Sequence, residues 1–441
     1  MSQEQTKNAE LDIKEIINLF QNGLVKEALT KSENLIKKEQ DLPFLLNLNG
    51  IININLNNWD KAKISLNKAI SLNHGYVEAY NNLGIVYNNL GNSEEAIKNF
   101  STSVKLKNNY SNGYNNLGSA YDDLEQNELA IENYSKALEF DTNHVDAQRN
   151  LIHILTHFTP LKKNFNPIVI ANNSLQKLKK NFIFTKGVKK LDIATLFKNS
   201  NKVIQNNIKE LTFIETQIYR RNSIDLNCKR HHKVFNHFDV IPKFCFNCFK
   251  IQIEPKNVLE LFKLFLIFDE LKLSKNNTRK CLVELRPNIS GTYKGLIYCT
   301  GMEEAEEILK DITPILKKII NNDVMIKIRR GCSEFAEKYK EYKEVNKSKP
   351  NFMKYKNEWN EKERIFDIDE IKSKKRKKNF KDSISGLTVS DILVMNNWLN
   401  YAKSIDDTTY KHISEDMFYS DYILKTISPQ LEKRKNEFLA L

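Results

Sequence analysis

The sequence lacks the features by which secreted and membrane-spanning proteins are usually recognised. Residues 1–14 are polar and acidic and contain no apolar core of a signal peptide, and no later run approaches about eighteen uncharged apolar residues. Cysteine is absent from the first 227 residues, and the six cysteines that follow are too few in 441 residues for a disulfide framework. We therefore expect a soluble, cytoplasmic protein with reduced thiols and no membrane contact.

Motifs for nucleotide binding and for hydrolysis are also missing. The chain contains no Walker, Rossmann or nucleophile-elbow pattern. Hydrophobic residues make up 41% of the chain and aromatic residues 10%, which excludes a disordered or collagen-like protein. A chain of 441 residues is longer than a single core usually supports, so its length predicts two or three domains.

Charge is distributed unevenly along the chain. The net charge is +13, and only 11 of the 68 basic residues are arginine. Residues 1–158 contain 14 Lys and Arg against 20 Asp and Glu, a net charge of −6, which leaves +19 for residues 159–441. A composition simply rich in lysine would affect both parts alike, so the segregation favours a polyanionic partner for the second part.

A repeat with a 34-residue step runs through the first third of the chain. Small or large residues recur at four positions of the repeat: Gly50, Gly84 and Gly118; Ala62, Ala96 and Ala130; Leu66, Phe100 and Tyr134; Leu56, Leu90 and Leu124. Small residues let the two helices of a hairpin approach closely, and large ones fill the space between hairpins. The pattern resembles the tetratricopeptide repeat (TPR) family, most clearly in Tyr80-x-x-Leu83-Gly84-x-x-Tyr87.

The resemblance implies an all-α superhelix over about residues 9–158. It places repeats at 43–76, 77–110 and 111–144, a degenerate repeat at 9–42 and a capping helix at 145–158. In this family the first helix of each hairpin lines a concave face. We therefore expect residues 1–158 to form a solenoid that binds a protein or peptide.

Asparagine recurs at the sixth position of the repeat. Asn82, Asn116 and Asn150 follow one another at the 34-residue step. This pattern resembles the asparagine ladder of O-linked N-acetylglucosamine transferases, which implies that the three amides bind the backbone of an extended peptide. An amide offers one acceptor and two donor hydrogens, so it can bond a peptide unit whatever the peptide's side chains are. The alternative is an asparagine-rich composition, because Asn81 and Asn115 are asparagines as well.

The segments on either side of the central region are predicted to be helical. Residues 159–227 have apolar residues at helical spacing and form a connector. Residues 333–441 form a basic tail that we expect to pack back on the core. The tail includes the lysine- and arginine-rich run 374–378. This run either binds phosphate or is a solvated loop. Within the tail, Thr388-x-x-Asp391 predicts a capping box that opens a helix.

Cysteine and histidine cluster at the start of the central region, residues 228–332. Cys228, His232, Cys245 and Cys248 have the ligand types and paired spacing of a tetrahedral zinc site, with His231 as an alternative ligand. Three thiolates and one imidazole favour a structural Zn²⁺ ion over a catalytic one. The other interpretation is a set of buried free thiols beside surface histidines.

A competing metal site uses a different set of residues. His237-x-Asp239 together with the distant His412 matches the facial triad of iron- and 2-oxoglutarate-dependent oxygenases. The sequence between them does not read as the double-stranded β-helix of those enzymes. Zinc is therefore the metal that the sequence favours.

The central region alternates between strand and helix patterns. Strands are predicted at 249–254, 279–286, 292–300 and 324–330, and helices at 257–271 and 302–321. The order βαββαβ is that of the ferredoxin-like fold, with helices on one face of the sheet only. The fold class is therefore a multidomain protein in which TPR repeats precede an α+β domain with a ferredoxin-like core and a helical tail.

The opposite face of this sheet is predicted to be basic and to bind anions. Its predicted anion-binding residues are Lys250, Lys280, Arg286, Lys294, Tyr298, Lys327 and Arg329. The segment 294–298 resembles the first signature of RNA-recognition motifs, which implies a nucleic-acid partner. A small anionic ligand, or a face that is solvated or covered by the tail, is the alternative.

The last predicted strand ends in Arg329-Arg330-Gly331-Cys332. Two neighbouring arginines would lower the pKa of the Cys332 thiol and favour a nucleophilic role. No histidine that could act as its base lies close to it in the chain.

Two functions are compatible with these features. The first is a cytoplasmic interaction protein in which the TPR groove binds an extended peptide and the basic domain binds an anionic partner. The second is an enzyme of the transferase type whose repeats recruit a protein substrate and whose active site lies in the α+β domain. The sequence identifies no catalytic residue for the second.

Overall fold

The computed structural model describes most of the chain. The described residues are 3–39, 41–179, 187, 189–208, 211, 213–372, 381–418 and 421–440. They group into two compact units. The first unit contains the described residues of 1–151 and 368–378, and the second contains those of 152–367 and 379–441. The basic run 374–378 lies outside the described residues.

The first unit is built from helices that follow one another at short intervals. Its helices are α1 (Gln3–Gln21), α2 (Val25–Lys38), α3 (Pro43–Asn55), α4 (Trp59–Leu72), α5 (Val77–Asn89), α6 (Ser93–Leu106), α7 (Ser111–Asp123), α8 (Asn127–Phe140) and α9 (Val145–Ile154), the last of which ends just beyond the unit. The first residues of α3, α5, α7 and α9 are 34 residues apart. The helical hairpins therefore have the period of the sequence repeat.

The glycines of the repeat mark the closest approach of the two helices in a hairpin. A Cβ atom on Gly84 would lie 2.5 Å from the ring of Phe100, and one on Gly50 would lie 2.7 Å from Leu66. Phe100 and Leu66 are both fully buried at these contacts. The glycine of the first helix thus contacts the large residue of the second helix within one hairpin, which explains why both recur at the same step.

The second unit combines a small sheet with several helices. Its strands are β1 (Gln217–Arg220), β2 (Phe249–Glu254), β3 (Arg279–Val283), β4 (Tyr293–Cys299) and β5 (Met325–Arg330). Its helices are α10 (Pro167–Lys179), α11 (Lys190–Asn207), α12 (Cys228–Phe238), α13 (Val258–Glu270), α14 (Met302–Ile319), α15 (Ser333–Lys338), α16 (Trp359–Lys372, which begins in this unit), α17 (Val389–Ser404), α18 (Asp421–Ile427) and α19 (Leu431–Leu439). None of the helices in the described ranges is both long enough and apolar enough to cross a lipid bilayer.

The five strands form one antiparallel sheet in the order β1-β3-β4-β2-β5. Lys250 on β2 lies opposite Tyr298 on β4 and Arg329 on β5. Because side chains alternate between faces along a strand, directly paired residues point to the same face. The register therefore brings these three side chains together.

Strand β1 corrects the prediction that residues 159–227 are entirely helical. Gln217–Arg220 pairs with β3 at the edge of the sheet. Four residues contain too little alternation to be recognised as a strand in the sequence. The connector thus contributes a strand to the sheet as well as helices α10 and α11.

The tail packs against the same unit. The capping box predicted at the start of α17 is present: the Thr388 side chain accepts a hydrogen bond from the amide of Asp391, whose carboxylate accepts one from the amide of Thr388. Farther along α17, the indole of Trp398 is fully buried and donates a hydrogen bond to the carbonyl of Thr216, 2.9 Å away. Helix α17 is therefore an integral part of the second unit.

Candidate functional site

The asparagines at the sixth repeat position form a row that is bonded from one repeat to the next. The Nδ2 atom of Asn82 lies 2.9 Å from the Oδ1 atom of Asn47, to which it donates a hydrogen bond. Asn116 makes the same bond to Asn81 and Asn150 makes it to Asn115, at 2.9 and 3.0 Å. Each donor is partly exposed, whereas each acceptor residue is buried.

The buried partners were not recognised in the sequence as part of the row. Asn47, Asn81 and Asn115 occupy the fifth repeat position and follow the same 34-residue step. Their recurrence next to the sixth-position asparagines is the signal that could have identified them. Each of them accepts one amide hydrogen from the sixth-position asparagine of the next repeat unit and so fixes the orientation of that outer side chain.

In the second unit, one face of the sheet and the chain that follows β5 enclose a pocket of about 790 Å³. All seven residues predicted to bind anions line it, and residues 333–351 contribute to its wall. The volume is within the range of about 300–1,000 Å³ that is typical of small-molecule sites. The structure thus brings the predicted residues into one concave site.

Some of the cations in the pocket are neutralised by carboxylates. Glu284 pairs with Lys294 at 2.9 Å and with Arg286 at 2.7 Å. Burial disfavours its charged form, but the hydrogen bond from Arg286 and the charge of Lys294 lower the pKa of Glu284 to about 2. Lys327 pairs with Glu254. Arg286 also pairs with Glu334, so three carboxylates within the protein balance these three cations.

Three other cations of the pocket have no carboxylate partner in the described part of the chain. Lys280 donates to Gln217 at 2.9 Å, and Arg329 donates to Gln252 at 2.9 Å. Lys250 is buried, and its Nζ atom lies 3.3 Å from the sulfur of Cys332 and 4.9 Å from the ring centre of Tyr298. The pocket therefore retains positive charge that an anionic ligand would neutralise.

Cys332 lies beside a histidine that is distant in sequence. The Sγ atom of Cys332, a ring nitrogen of His232 and a carboxylate oxygen of Glu334 all lie within 4.8 Å of one another. His232 comes from α12, whereas Glu334 lies in the first turn of α15, two residues after the cysteine. All three residues line the basic pocket.

The structure distributes the four predicted zinc ligands over different surroundings. His232 and Cys228 line the pocket, and Cys245 is buried in an apolar cluster with Phe246 and Tyr342. Burial raises the pKa of the Cys248 thiol to about 11. Among the described residues, His232 belongs to a group of three potential metal ligands that lie within 4.8 Å of one another. None of the three cysteines predicted as zinc ligands belongs to this group. Zinc binding by the four stays a prediction.

The competing oxygenase triad is not assembled. Asp239 caps the end of α12 and forms an ion pair with Lys338. His412 lies at the end of a short 3₁₀ helix, Thr408–His412. His237, Asp239 and His412 do not form a group of potential ligands in the part of the chain that the structure describes.

The comparisons with known proteins concern the repeats. Residues 75–150 match the tetratricopeptide repeat family, which confirms the repeats for that segment. No curated protein matches the chain. Among solved structures, MamA is 25% identical over 31% of this chain and 79% of its own, with a TM-score of 0.29.

Two further solved structures are similar to part of the chain. YrrB, described as a TPR protein with an unusual peptide-binding site, is 23% identical over 32% of this chain and 73% of its own, with a TM-score of 0.30. The first TPR of Spaghetti (RPAP3), bound to the HSP90 peptide SRMEEVD, is 23% identical over 26% of this chain and 90% of its own, with a TM-score of 0.25. Each of the three covers about a third of this chain or less.

Proposed function

We propose that the repeats bind an extended peptide along the row formed by Asn82, Asn116 and Asn150, as in the O-linked N-acetylglucosamine transferases that this row resembles. The observation that supports the proposal is the bonding pattern of the row. Each of these side chains uses one amide hydrogen for the preceding repeat. A second amide hydrogen of each remains to bond a peptide unit, as do the carbonyl oxygens of Asn82 and Asn150. The carbonyl oxygen of Asn116 already accepts a bond from Asn115 at 3.4 Å and keeps one lone pair for a peptide.

The pairing also prepares the row for binding. A free asparagine side chain loses rotamer freedom when it binds, and this loss weakens the complex. Here the buried asparagine of the preceding repeat already fixes the outer amide before a peptide arrives. Two repeats and the capping helix α9 therefore present these amides in a fixed orientation.

The double substitution Asn82→Ala and Asn116→Ala is expected to weaken peptide binding by about tenfold or more, because each lost hydrogen bond contributes about 0.5–1.5 kcal/mol. The probe is a set of peptides selected against the full chain from a random phage-displayed library. Their dissociation constants are measured by fluorescence anisotropy.

The matched control removes two asparagines from exposed positions between helices of the same unit, Asn108→Ala with Asn143→Ala. It should leave the dissociation constants unchanged. Equal affinities for wild type and for the Asn82 and Asn116 double variant, with melting temperatures also equal, would refute the proposed row.

For the second unit, the proposal is a site for an anionic ligand on the sheet face. Lys250, Lys280 and Arg329 support it, because they line one pocket and have no carboxylate partner among the described residues. Strand order and pairing further favour a ferredoxin-like core, with β1 added at its edge. Nucleic acid remains the wider alternative for the anion.

Removing two of these cations tests the pocket. Lys280→Gln with Arg329→Gln should lower the affinity for inorganic pyrophosphate, measured by titration calorimetry, by about tenfold or more, since hydrogen bonds to charged groups contribute about 1.5–3 kcal/mol each. The control, Lys317→Gln with Lys318→Gln, removes the same charge from the exposed side of α14, outside the pocket lining. An equal loss in both variants would show that only the net charge of the protein matters.

We place the protein in the cytoplasm. All six cysteines are free thiols in the structure, as a reducing compartment requires. The alternative function, an enzyme that modifies a protein recruited by the repeats, is favoured by one observation. The anion pocket contains a cysteine that lies next to a histidine and a buried lysine.

A further inference from the structure

The surroundings of Cys332 differ from those of the other cysteine in the pocket. Cys228 also lines the pocket, but burial and the nearby Cys332 raise the pKa of its thiol. Burial acts on Cys332 in the same direction, but the charge of Lys250 and a hydrogen bond with His232 outweigh it and lower the pKa of Cys332 to about 7. Of the two pocket thiols, Cys332 is the one with an ammonium nitrogen 3.3 Å from its sulfur and an imidazole nitrogen within 4.8 Å.

The partners of Cys332 show the complementary shifts. Burial disfavours the charge on Lys250, yet the negative charge of Cys332 and its neighbours keeps the pKa of that amine above its usual value. The hydrogen bond with Cys332 raises the pKa of His232, and the carboxylate of Glu334 acts in the same direction. A cysteine sulfur within reach of an imidazole is the pair by which cysteine enzymes activate their nucleophile.

The position of Lys250 favours a nucleophile over a metal ligand at Cys332. Its ammonium nitrogen lies 3.3 Å from the sulfur. A metal ion bound to Cys332, His232 and Glu334 would bring a second positive charge to the same place, and like charges in a buried site repel strongly. The ammonium instead neutralises the thiolate directly.

The backbone holds the sulfur at the pocket. Cys332 follows the end of β5 by one residue, Gly331, whose amide donates to the carbonyl of Cys248 at 2.7 Å. Gly331 has a φ of +52°, and Tyr342 fills the space beside it. The chain therefore turns sharply at the strand end and directs Cys332 towards Lys250 and His232.

The geometry points to a catalytic site in which Cys332 is the nucleophile for acyl transfer from a phosphorylated donor, with His232 as its acid and base. This inference rests on the proposed anion site, because Lys280 and Arg329 would bind the phosphate of the donor. Glu334 is a positioning residue: its carboxylate pairs with Arg286 and lies within 4.8 Å of the His232 ring nitrogen and of the Cys332 sulfur.

The reaction balances without an oxidant or a metal. The sulfur of Cys332 forms a bond to the carbonyl carbon of the acyl phosphate, the bond from that carbon to the phosphate oxygen breaks, and phosphate leaves with a proton from His232. A thioester remains on Cys332. An amine or water then attacks the thioester, His232 takes the proton of the attacking group, and the carbon–sulfur bond breaks to restore the thiolate.

The test uses the full chain and acetyl phosphate as the probe. Intact-mass spectrometry should detect one acetyl group per chain, and peptide mapping should locate it at Cys332. Hydroxylamine at neutral pH should remove it, because thioesters are cleaved under conditions that leave acetyl-lysine intact. Cys332→Ser should lose this label, and peptide mapping of the wild type should find none of the other five cysteines acetylated.

Two variants test the partners of the thiol. His232→Gln should slow labelling by about 100-fold or more, and added imidazole should restore part of the rate to His232→Ala. Glu334→Gln should slow labelling while Glu334→Asp retains it. An unchanged labelling rate in His232→Gln would overturn the role of the histidine. The same conclusion would follow if the wild-type protein contained one zinc ion per chain and His232→Gln contained none.

The test separates this inference from the anion site on which it rests. If acetyl phosphate leaves Cys332 unlabelled while pyrophosphate still binds and is displaced by acetyl phosphate, the anion site stands and the catalytic inference is wrong. In a second outcome, the neutral ester p-nitrophenyl acetate labels Cys332, but acetyl phosphate neither labels it nor competes with pyrophosphate. The inference that the acyl donor is phosphorylated would then be wrong. Pyrophosphate binding to Cys332→Ser shows in either case that the variant is folded.

Discussion

Replacing Arg220 with leucine is expected to lower the free energy of unfolding of the second unit by about 3–5 kcal/mol, because it leaves the buried carboxylate of Asp391 without the guanidinium that binds both its oxygens. Arg220 on β1 bonds both oxygens of Asp391 on α17, at 3.1 and 3.0 Å, and also Asp269 on α13. It donates to the carbonyl of Gly386 at 2.7 Å as well. The guanidinium therefore joins segments 217–220, 258–270 and 386–404.

Both carboxylates are deeply buried. The side chain of Asp269 is 1% exposed and that of Asp391 is 4% exposed, while Arg220 is 8% exposed. Among the described residues, the remaining bond of the Asp391 carboxylate, from the amide of Thr388, does not supply a countercharge. Loss of the arginine therefore forces the site either to take up a proton or to open to water, and both reduce stability.

Urea unfolding followed by pulsed hydrogen exchange measures this effect. Peptides from residues 389–404 report on the second unit alone. Arg364→Leu is the control, because Arg364 forms an exposed ion pair with Glu361 within one turn of α16, and we expect it to leave the midpoint unchanged. Equal midpoints for the two variants would show that the buried pair contributes nothing to folding.

Replacing Gly331 with alanine is expected to destabilise the second unit by about 3 kcal/mol and to move Cys332. An alanine at the φ of +52° costs about 1–2 kcal/mol, and overpacking of a core adds about 1–3 kcal/mol. The new Cβ atom would lie 1.9 Å from the hydroxyl oxygen of Tyr342. That tyrosine is fully buried and donates to the carbonyl of Cys245 at 2.6 Å, so it cannot simply turn away.

The measurement compares melting temperatures and the acetyl-labelling rate at Cys332. Gly301→Ala is the matched control: Gly301 precedes α14 in the same unit, its φ of −170° is extended, and a Cβ atom there would contact nothing within 4 Å. It should leave both quantities unchanged. If Gly331→Ala also labelled and melted like wild type, the strand-end turn would have no part in positioning the thiol.

The repeats could be predicted from the sequence because their defining contacts recur in it. Gly84 and Phe100 touch across one hairpin, and the next hairpin repeats that contact 34 residues later. The row of outer asparagines has the same period. The hydrogen bonds to Asn47, Asn81 and Asn115 could not be predicted. In a chain rich in asparagine, two adjacent asparagines are also explained by composition, and only the stacked repeats show that they bond to each other.

The site in the second unit could be predicted only in part. Alternation along the strands placed the basic residues on one face, because pleating fixes which side chains share a face. The partner of Cys332 could not be found, because His232 precedes it by 100 residues and reaches it only through the packing of α12. The spacing of His232 from the nearby cysteines instead indicated a metal site. Sequence spacing identifies ligands on one local element and gives no information on pairs that tertiary folding assembles.

A structure of the full chain with one of the selected peptides would show where the peptide lies. We expect a peptide backbone within hydrogen-bonding distance, about 3 Å, of the side-chain amides of Asn82, Asn116 and Asn150. A peptide bound instead to the second helices of the hairpins, with these three amides unoccupied, would contradict it.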